Sequence, residues 1–427
     1  MRVKRLDEIL LFMFLFLLIP PSRTIFGFNL PILYLFIPIL TFVVMFVIFG
    51  WIKSPLALRE FMLFWFLIVL EVLISGVFGP LYLLSVFNFP AEILQYVARF
   101  LFFTAFAAMF YNSKISGETF LKYFMIVLLV AMSIGIMQWV PWPGQGIMLR
   151  QYVQVNRDLS ANVGRIVPRV PGIAQMATAT GGLAAFVFAV SLSILISRHH
   201  CRKIAILGII LSIINLVICM ARGGMLAVPI TMAFLIMVFG KNKRNAVKSF
   251  LIIILLGIIL WSSLVFLYQQ GNPYVVSNYD RWLRLFEQLE SGGNRIRQIE
   301  HALSLLDDPY SYVFGVSRGF QTLSDVTFHL EVEPVNILVL YGIVGFLLQY
   351  GLVIALLVYY YKQLKHVTGN NTILCLTLAS LGGLFSYQVF SVAYFFFREI
   401  NVGLFPWIFF GATVGIIERY LANKKAT

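Results

Sequence analysis

The sequence predicts an all-α polytopic integral membrane protein of about 12 transmembrane helices with a large polar loop containing amphipathic helices. Three observations carry that expectation. Of 427 residues, 60% are hydrophobic and 12% charged, with a mean hydropathy of +0.90, well outside the range of soluble domains. Apolar runs of about twenty residues recur along the whole chain, so one cleaved signal peptide does not account for them. The basic residues, finally, are sorted by type between the connecting segments.

The apolar runs place spans near 8–21, 29–50, 61–77, 95–111, 120–140, 174–197, 204–220, 224–240, 249–268, 334–360, 372–392 and 402–418. The start "MRVKRLDEILLFMFLFLLIPP" is basic and then apolar but lacks a small-residue cleavage site, so it reads as the first span. A single membrane domain then occupies 1–427, with long loops at 141–173 and 269–333 on one side. "MRVKR", "RHHCRK" (198–203), "KNKRNAVK" (241–248), "KQLK" (362–365) and the tail "NKK" fall on the other side. Lysine and arginine are retained in the cytoplasm during insertion, so that side and both termini are expected to be cytoplasmic.

All 12 lysines lie on the cytoplasmic side of this map. The outer side and its rim carry 13 arginines and no lysine: Arg23, Arg99, Arg150, Arg157, Arg165, Arg169, Arg222, Arg281, Arg284, Arg295, Arg297, Arg318 and Arg398. Insertion explains the lysines, whereas the outer arginines run against it. A guanidinium stays charged and grips phosphate or carboxylate through a planar fork of donors. The outer arginines therefore suggest an anion site, while pairing with Asp280, Glu287 and Glu300, or snorkelling to headgroups, competes for some of them.

Two loops concentrate them. "PWPGQGIMLRQYVQVNRDLSANVGRIVPRVPG" holds four arginines on a backbone whose prolines and glycines exclude a long helix. In the loop 269–333, "YDRWLRLFEQLE" and "NRIRQIEHALSLL" have helical apolar spacing, with Trp282, Leu285 and Leu289 on one face and Ile296, Ile299, Leu303 and Leu306 on the other helix's face. Amphipathic helices at a membrane surface satisfy that pattern and also fit an anion site for a lipid-borne headgroup. The loop aromatics Trp142, Tyr152, Tyr274, Tyr279 and Trp282 hint at sugar stacking.

Cys201, Cys219 and Cys375 are scattered, without a C-x-x-C pair or histidines at ligand spacing, which argues against a disulfide framework or a structural zinc site. His199 and His200 read as companions of topogenic charge and not as ligands. The formal charge of +14 is assigned to topology and anionic lipids, not to nucleic acid.

Four segments carry a family resemblance. "GNRIRQIEHALSLLDDPYSYVFGVSRGF" (293–320) followed by "EVEPVNILVLYGIVGFLLQYGLV" (331–353), "CMARGGMLAVPI" (219–230) and "RVPGIAQMATATGG" (169–182) resemble the ordered signatures of the O-antigen polymerase and ligase superfamily. The resemblance implies a GT-C-like membrane glycosyltransferase of the bacterial inner membrane, working at its periplasmic face without metal or other cofactor. It implies sugar repeat units on undecaprenyl pyrophosphate as substrates, with membrane lipids and a chain-length regulator protein as further partners. A polymerase moves the growing glycan to the non-reducing sugar of a new lipid-linked unit; a ligase moves it to lipid A core.

By family position Arg222, Arg295 or Arg297, and Arg169 are expected to clamp the pyrophosphate, with Arg318 beside Gly319 as a further candidate. Cations at the leaving oxygens lower the barrier because charge develops there as the anomeric C–O bond breaks. The ligases carry a His-Asn pair where this chain reads "HLEVEPVN", and the pair is absent. His329, Glu331 and Glu333 are the candidate bases for the acceptor hydroxyl, with pairing to a loop arginine as the competing role for the carboxylates. The missing pair favours polymerase over ligase. A transporter of lipid-linked sugars, for which Glu71 and Arg99 are the in-span ionisable groups, and a non-catalytic export subunit remain the alternatives.

Overall fold

In a computed structural model, the residues described are 2–21, 23–25, 28–83, 89–152, 169–174, 176–239, 262, 265–273, 275–277, 279–280, 282–283, 294–316, 332–367, 369–392, 394 and 402–426. Their helices are α1 (Arg2–Phe16), α2 (Ile37–Ile48), α3 (Leu56–Leu83), α4 (Phe89–Asn112), α5 (Gly117–Trp139), α6 (Gln145–Tyr152), α7 (Ala177–Ile196), α8 (Arg202–Cys219) and α9 (Arg222–Phe239). They continue with α10 (Asn294–Ser304), α11 (Pro309–Phe314), α12 (Glu333–Gln363), α13 (Asn371–Ser391) and α14 (Leu404–Ala426). The departure from an all-helical chain is a short antiparallel pair, β1 (Arg23–Ile25) and β2 (Phe28–Leu30), with Thr24 opposite Asn29.

Among the described residues, 8 helices are long and apolar enough to cross a membrane: those at Ile93–Asn112, Gly117–Trp139, Ala177–Ile196, Arg202–Cys219, Arg222–Phe239, Glu333–Gln363, Asn371–Ser391 and Leu404–Lys425. Each coincides with one of the expected spans. The other expected spans differ for identifiable reasons. The run 29–50 is interrupted by Pro31 and Pro38: a 3-10 turn occupies Ile32–Phe36, and Pro38 sits in the first turn of α2, where its missing N–H costs nothing. Together these two pieces reach about 28 Å at the usual rises per residue. Helix α3 is as apolar as the others but carries three charged residues, Arg59, Glu60 and Glu71. Most of 249–268 lies outside the described residues.

Local sequence sets several helix starts. Ser116 accepts from the Thr119 amide at 3.1 Å to begin α5, and Asn370 accepts from the Thr372 and Ile373 amides at 3.0 and 3.1 Å to begin α13. Each side chain satisfies donors that a helix leaves open in its first turn.

The helices pack through small residues and aromatic rings, as expected where lipid removes the hydrophobic drive between helices. Gly411 and Gly415, four residues apart on α14, lie against the carbonyls of Phe103 and Ala107 on α4, with no space for a side chain. Gly182 on α7 accepts the Phe390 ring of α13, and Gly383 on α13 accepts the Phe186 ring of α7. The fully buried Trp65 and Trp407 meet edge to face at 4.7 Å between α3 and α14.

Contacts between loops sort the helix ends into two sets. At one end, Asn112 donates to the Lys53 carbonyl at 2.8 Å, Arg419 to the Ile115 carbonyl at 2.7 Å and Lys424 to the His366 carbonyl at 3.5 Å. There too His199 lies 3.2 Å from Thr372 and His200 is 3.0 Å from Glu118. These are the segments that the lysine distribution assigns to one side. At the other end, Arg169 meets Cys219, Gln138 meets Gly172, and Tyr394 meets Met176.

Candidate functional site

The site begins at the α8–α9 turn. Helix α8 stops because Met220 takes a left-handed conformation (φ 51°), unusual for a residue with a side chain, and α9 restarts at Arg222. Gly224 lies against the Gly181 carbonyl of α7, where a Cβ would come within 2.6 Å of that oxygen. Gly181 in turn packs on Ala221. The "ARGG" and "TATGG" glycines therefore allow the N-terminal ends of α7 and α9 to approach closely.

The first outer loop is tied to the same turn. Arg169 donates from Nε to the Cys219 carbonyl at 3.0 Å and from Nη2 to Thr178 Oγ1 at 3.0 Å. The Val170 amide donates to the Ile218 carbonyl at 3.3 Å. Gly172, at φ 60°, is held from both sides by Gln138, whose Nε2 donates to its carbonyl at 2.7 Å and whose Oε1 accepts from its amide at 2.8 Å. The second outer loop arrives here as well, with Ser277 Oγ 3.6 Å from Met220 Sδ.

The structure thus brings Arg169 to within one hydrogen bond of the turn from which Arg222 departs, and both long loops converge on it. Arg222 is half-buried at the first position of α9, and α7 starts beside it. Open N–H groups and the positive end of the helix dipole add to the guanidinium charge, a combination suited to phosphate.

The second part of the site is built around α12. Its helical path is broken at Gly342 (φ 61°, ψ −168°). The break releases carbonyls of the preceding turn, and two of them find donors elsewhere: Val339 accepts from the Val316 amide at 2.9 Å and Leu340 from Ser75 Oγ at 2.8 Å. Helix α11 enters the break. Asp308 caps it through the Tyr310 and Ser311 amides at 2.8 and 3.1 Å, and it ends at Gly315 (φ 79°) against the Leu340 backbone.

Helix α10 covers this assembly. Ile299, Ala302 and Leu306 pack with Val316, Val335 and Val339. The apolar face expected to lie on the membrane surface is therefore partly used inside the protein, with Leu303 turned outward at 40% exposure. Arg297 is exposed on α10, and the side chain of Arg295 lies outside the described residues. Glu333, at the start of α12, is fully buried, as is Asn336 one turn later. Of the candidate bases and anion ligands, His329, Glu331 and Arg318 lie outside the described residues. The described contacts do not join Glu333 to Arg169 or Arg222, although α13 packs against α7, α9 and α12 and links the two parts.

Glu71 and Arg99, read from the sequence as the in-span ionisable groups, lie in a buried polar region behind the break whose neutral members Gln95, Tyr96 and Gln349 sequence reasoning missed. Tyr96 donates to Gln349 Oε1 at 3.1 Å and meets Tyr341 edge to face, and Arg99 donates to the Gln95 carbonyl at 2.8 Å. Glu71 lies against Gly345, where a Cβ would be 2.7 Å from its Oε2. Arg99, counted above with the outer rim, is fully buried about 15 Å along α4 from its start. The polar spacing of Gln95 and Arg99, four apart on α4, was the available signal. Tyr152, a candidate for sugar stacking, is instead buried and donates to the Ile19 carbonyl at 3.0 Å.

No curated protein matches the chain. Residues 207–350, which include the α8–α9 turn, α10, α11 and the break in α12, match the family model Wzy_C, described as O-antigen ligase. The match spans 207–350 of the 427 residues and is consistent with the O-antigen polymerase and ligase superfamily.

Proposed function

We propose that the protein is a membrane glycosyltransferase that polymerises an O-antigen-type surface polysaccharide at the periplasmic face of the bacterial inner membrane. It transfers the growing glycan from undecaprenyl pyrophosphate to the non-reducing end of a new lipid-linked repeat unit. The matched family points to O-antigen ligase or polymerase-type function in general, and the convergence of both outer loops on Arg169 and Arg222 carries the finer reading.

The chemistry follows from the charges. The anomeric C–O bond to the pyrophosphate breaks as the acceptor oxygen bonds to the anomeric carbon. The departing diphosphate gains charge, which Arg222 and Arg169, near the ends of α7 and α9, neutralise together with Arg295 from the second outer loop. The acceptor hydroxyl loses its proton to Glu333, or to Glu331 or His329. Because the helix ends are rigid, the cations need no reorganisation as the charge develops.

A ligase reading is favoured by the description of the matched family, and the absent His-Asn pair weighs against it. The buried Glu71 and Arg99 favour transport, since ionisable groups inside spans commonly mark a substrate or ion path. The test is an assay of purified protein with its undecaprenyl-pyrophosphate repeat unit, comparing wild type with Arg222→Ala and Arg295→Ala. A ladder of lengthening glycan in wild type, lost in both variants, supports the polymerase. Extension of added lipid A core without a ladder moves the assignment to ligase, and neither product from folded protein moves it to transport.

A further inference from the structure

At the end of the helices opposite the candidate transfer site, three potential metal ligands are consecutive in sequence: His199, His200 and Cys201. Their ligand atoms lie within 4.8 Å of one another. We propose that His199, His200 and Cys201, completed by Glu118, form a binding site for a zinc-class divalent transition metal ion.

The local fold prepares the cluster. Arg198 takes a left-handed conformation (φ 55°) and turns the chain out of α7, while the His199 amide still donates to the Ile194 carbonyl at 3.1 Å. This turn buries His199 and Cys201 and leaves His200 at the surface. The His199 and His200 rings lie 4.0 Å apart. Thr372 at the start of α13 holds His199 through Nε2 at 3.2 Å. Its Nδ1 accepts a long 3.3 Å hydrogen bond from the Cys201 amide, which a metal bound at that nitrogen would replace. Orientation of a ligand histidine by a group on its other nitrogen is a usual feature of metal sites.

Glu118 in the first turn of α5 supplies a fourth donor, 3.0 Å from His200 Nε2. One thiolate, two imidazoles and one carboxylate make a tetrahedral set of the hardness that zinc accepts, and the two anionic ligands neutralise the ion. The spacing argument used above against a zinc site overlooked that adjacent residues converge when the backbone between them is turned. An ion here would tie the ends of α5, α7, α8 and α13 together. This inference does not depend on the glycosyltransferase reading.

The experiment is titration of full-length, chelator-treated protein in detergent with Co(II), followed by Zn(II) competition. One Co(II) per chain is expected, with tetrahedral ligand-field bands and a sulfur-to-metal charge-transfer band, both erased by zinc. Cys201→Ser removes the sulfur band, Glu118→Gln weakens binding by at least ~10-fold, and Cys375→Ser leaves the spectrum unchanged. If Cys201→Ser does not fold, zinc protection of wild-type Cys201 against alkylation, read by mass spectrometry beside Cys219 and Cys375, decides in its place. A wild-type spectrum without the sulfur band, one unchanged in Cys201→Ser, or unprotected Cys201 overturns the proposal.

Discussion

Gly315 and Gly342 interlock through the backbone next to each other: a Cβ on Gly315 would clash with the Leu340 carbonyl, and one on Gly342 with the Val313 carbonyl. Both have positive φ, and at Gly342 the pair of φ 61° and ψ −168° is a region that side chains exclude. The interlock holds α11 in the break of α12 and so fixes the chain leading to Glu333 and Asn336. Sequence-similar glycines thus serve one joint.

Gly315→Ala and Gly342→Ala are each expected to destabilise the protein by about 2–4 kcal/mol, combining strain with overpacking. Thermal unfolding in detergent measures this. A double variant is expected to cost less than the sum, because once α11 has left the break the second methyl meets nothing. Strict additivity would show that the two glycines act separately.

The sequence leaves Arg295 and Arg297 as alternatives for the clamp, and Arg297 is exposed on α10. Arg295→Ala is expected to lower turnover by about 10²-fold or more, the scale of removing one charge-stabilising donor. Arg297→Ala is expected to stay within about twofold of wild type, as exposed charges usually do. Equal losses in the two variants would refute the choice of Arg295 over Arg297.

Glu333 is buried at the start of α12, where the helix dipole supports its carboxylate. As the base it should give a loss of about 10²–10⁴ in turnover on Glu333→Gln, with the repeat unit still bound. Single-turnover kinetics with saturating donor measure the chemical step directly. An unchanged rate would pass the role to Glu331 or His329.

Much of this was legible from residue types alone. Long apolar runs with neither proline nor charge, such as Ala177–Ile196 and Asn371–Ser391, became helices where hydropathy placed them. Arg222 was found by its position in the family-like segment "CMARGGMLAVPI" among outer arginines that run against the insertion bias. Gly342 was not found as a break, since a single glycine in an apolar helix reads as tolerated, and only the approach of α11 makes its φ necessary. The role of Arg169 was read as charge alone, although two of its N–H groups hold carbonyl and hydroxyl oxygens. Such bonds join residues 50 positions apart, and no local pattern encodes them. Arg99 was misplaced for a related reason: its layer of Gln95, Tyr96 and Gln349 assembles from α4 and α12 and is polar only when the two are together.

Sidedness rests on lysine distribution and on contacts that gather the same loops at one end. Single cysteines placed at His366 and at Arg150, both in a background lacking the native cysteines, are expected to react with an impermeant maleimide from opposite sides of the inner membrane. The residue 366 thiol should label only after the membrane is opened, and that at 150 in intact spheroplasts. Labelling of both from one side would break the map at its weakest region, the segment 240–261 outside the described residues.

Arg169 and Arg222 meet at one turn but are used differently, and this yields the sharpest separation of structure from chemistry. Arg169 bridges the first outer loop to the Cys219 carbonyl and to Thr178, so its removal leaves a partly buried acceptor without that donor. Arg169→Ala is expected to cost about 1–3 kcal/mol of stability in addition to turnover. Arg169→Lys should recover little, because an ammonium cannot reproduce the fork. Arg222, half-buried at the first position of α9, places its guanidinium beside the open amides of that helix start. Arg222→Ala is expected to lower turnover per folded molecule by about 10²-fold or more. Thermal unfolding and glycan ladders measured on the same preparations check both halves; a large loss of stability in Arg222→Ala with turnover retained per folded molecule would make it a structural residue and leave the pyrophosphate to other cations.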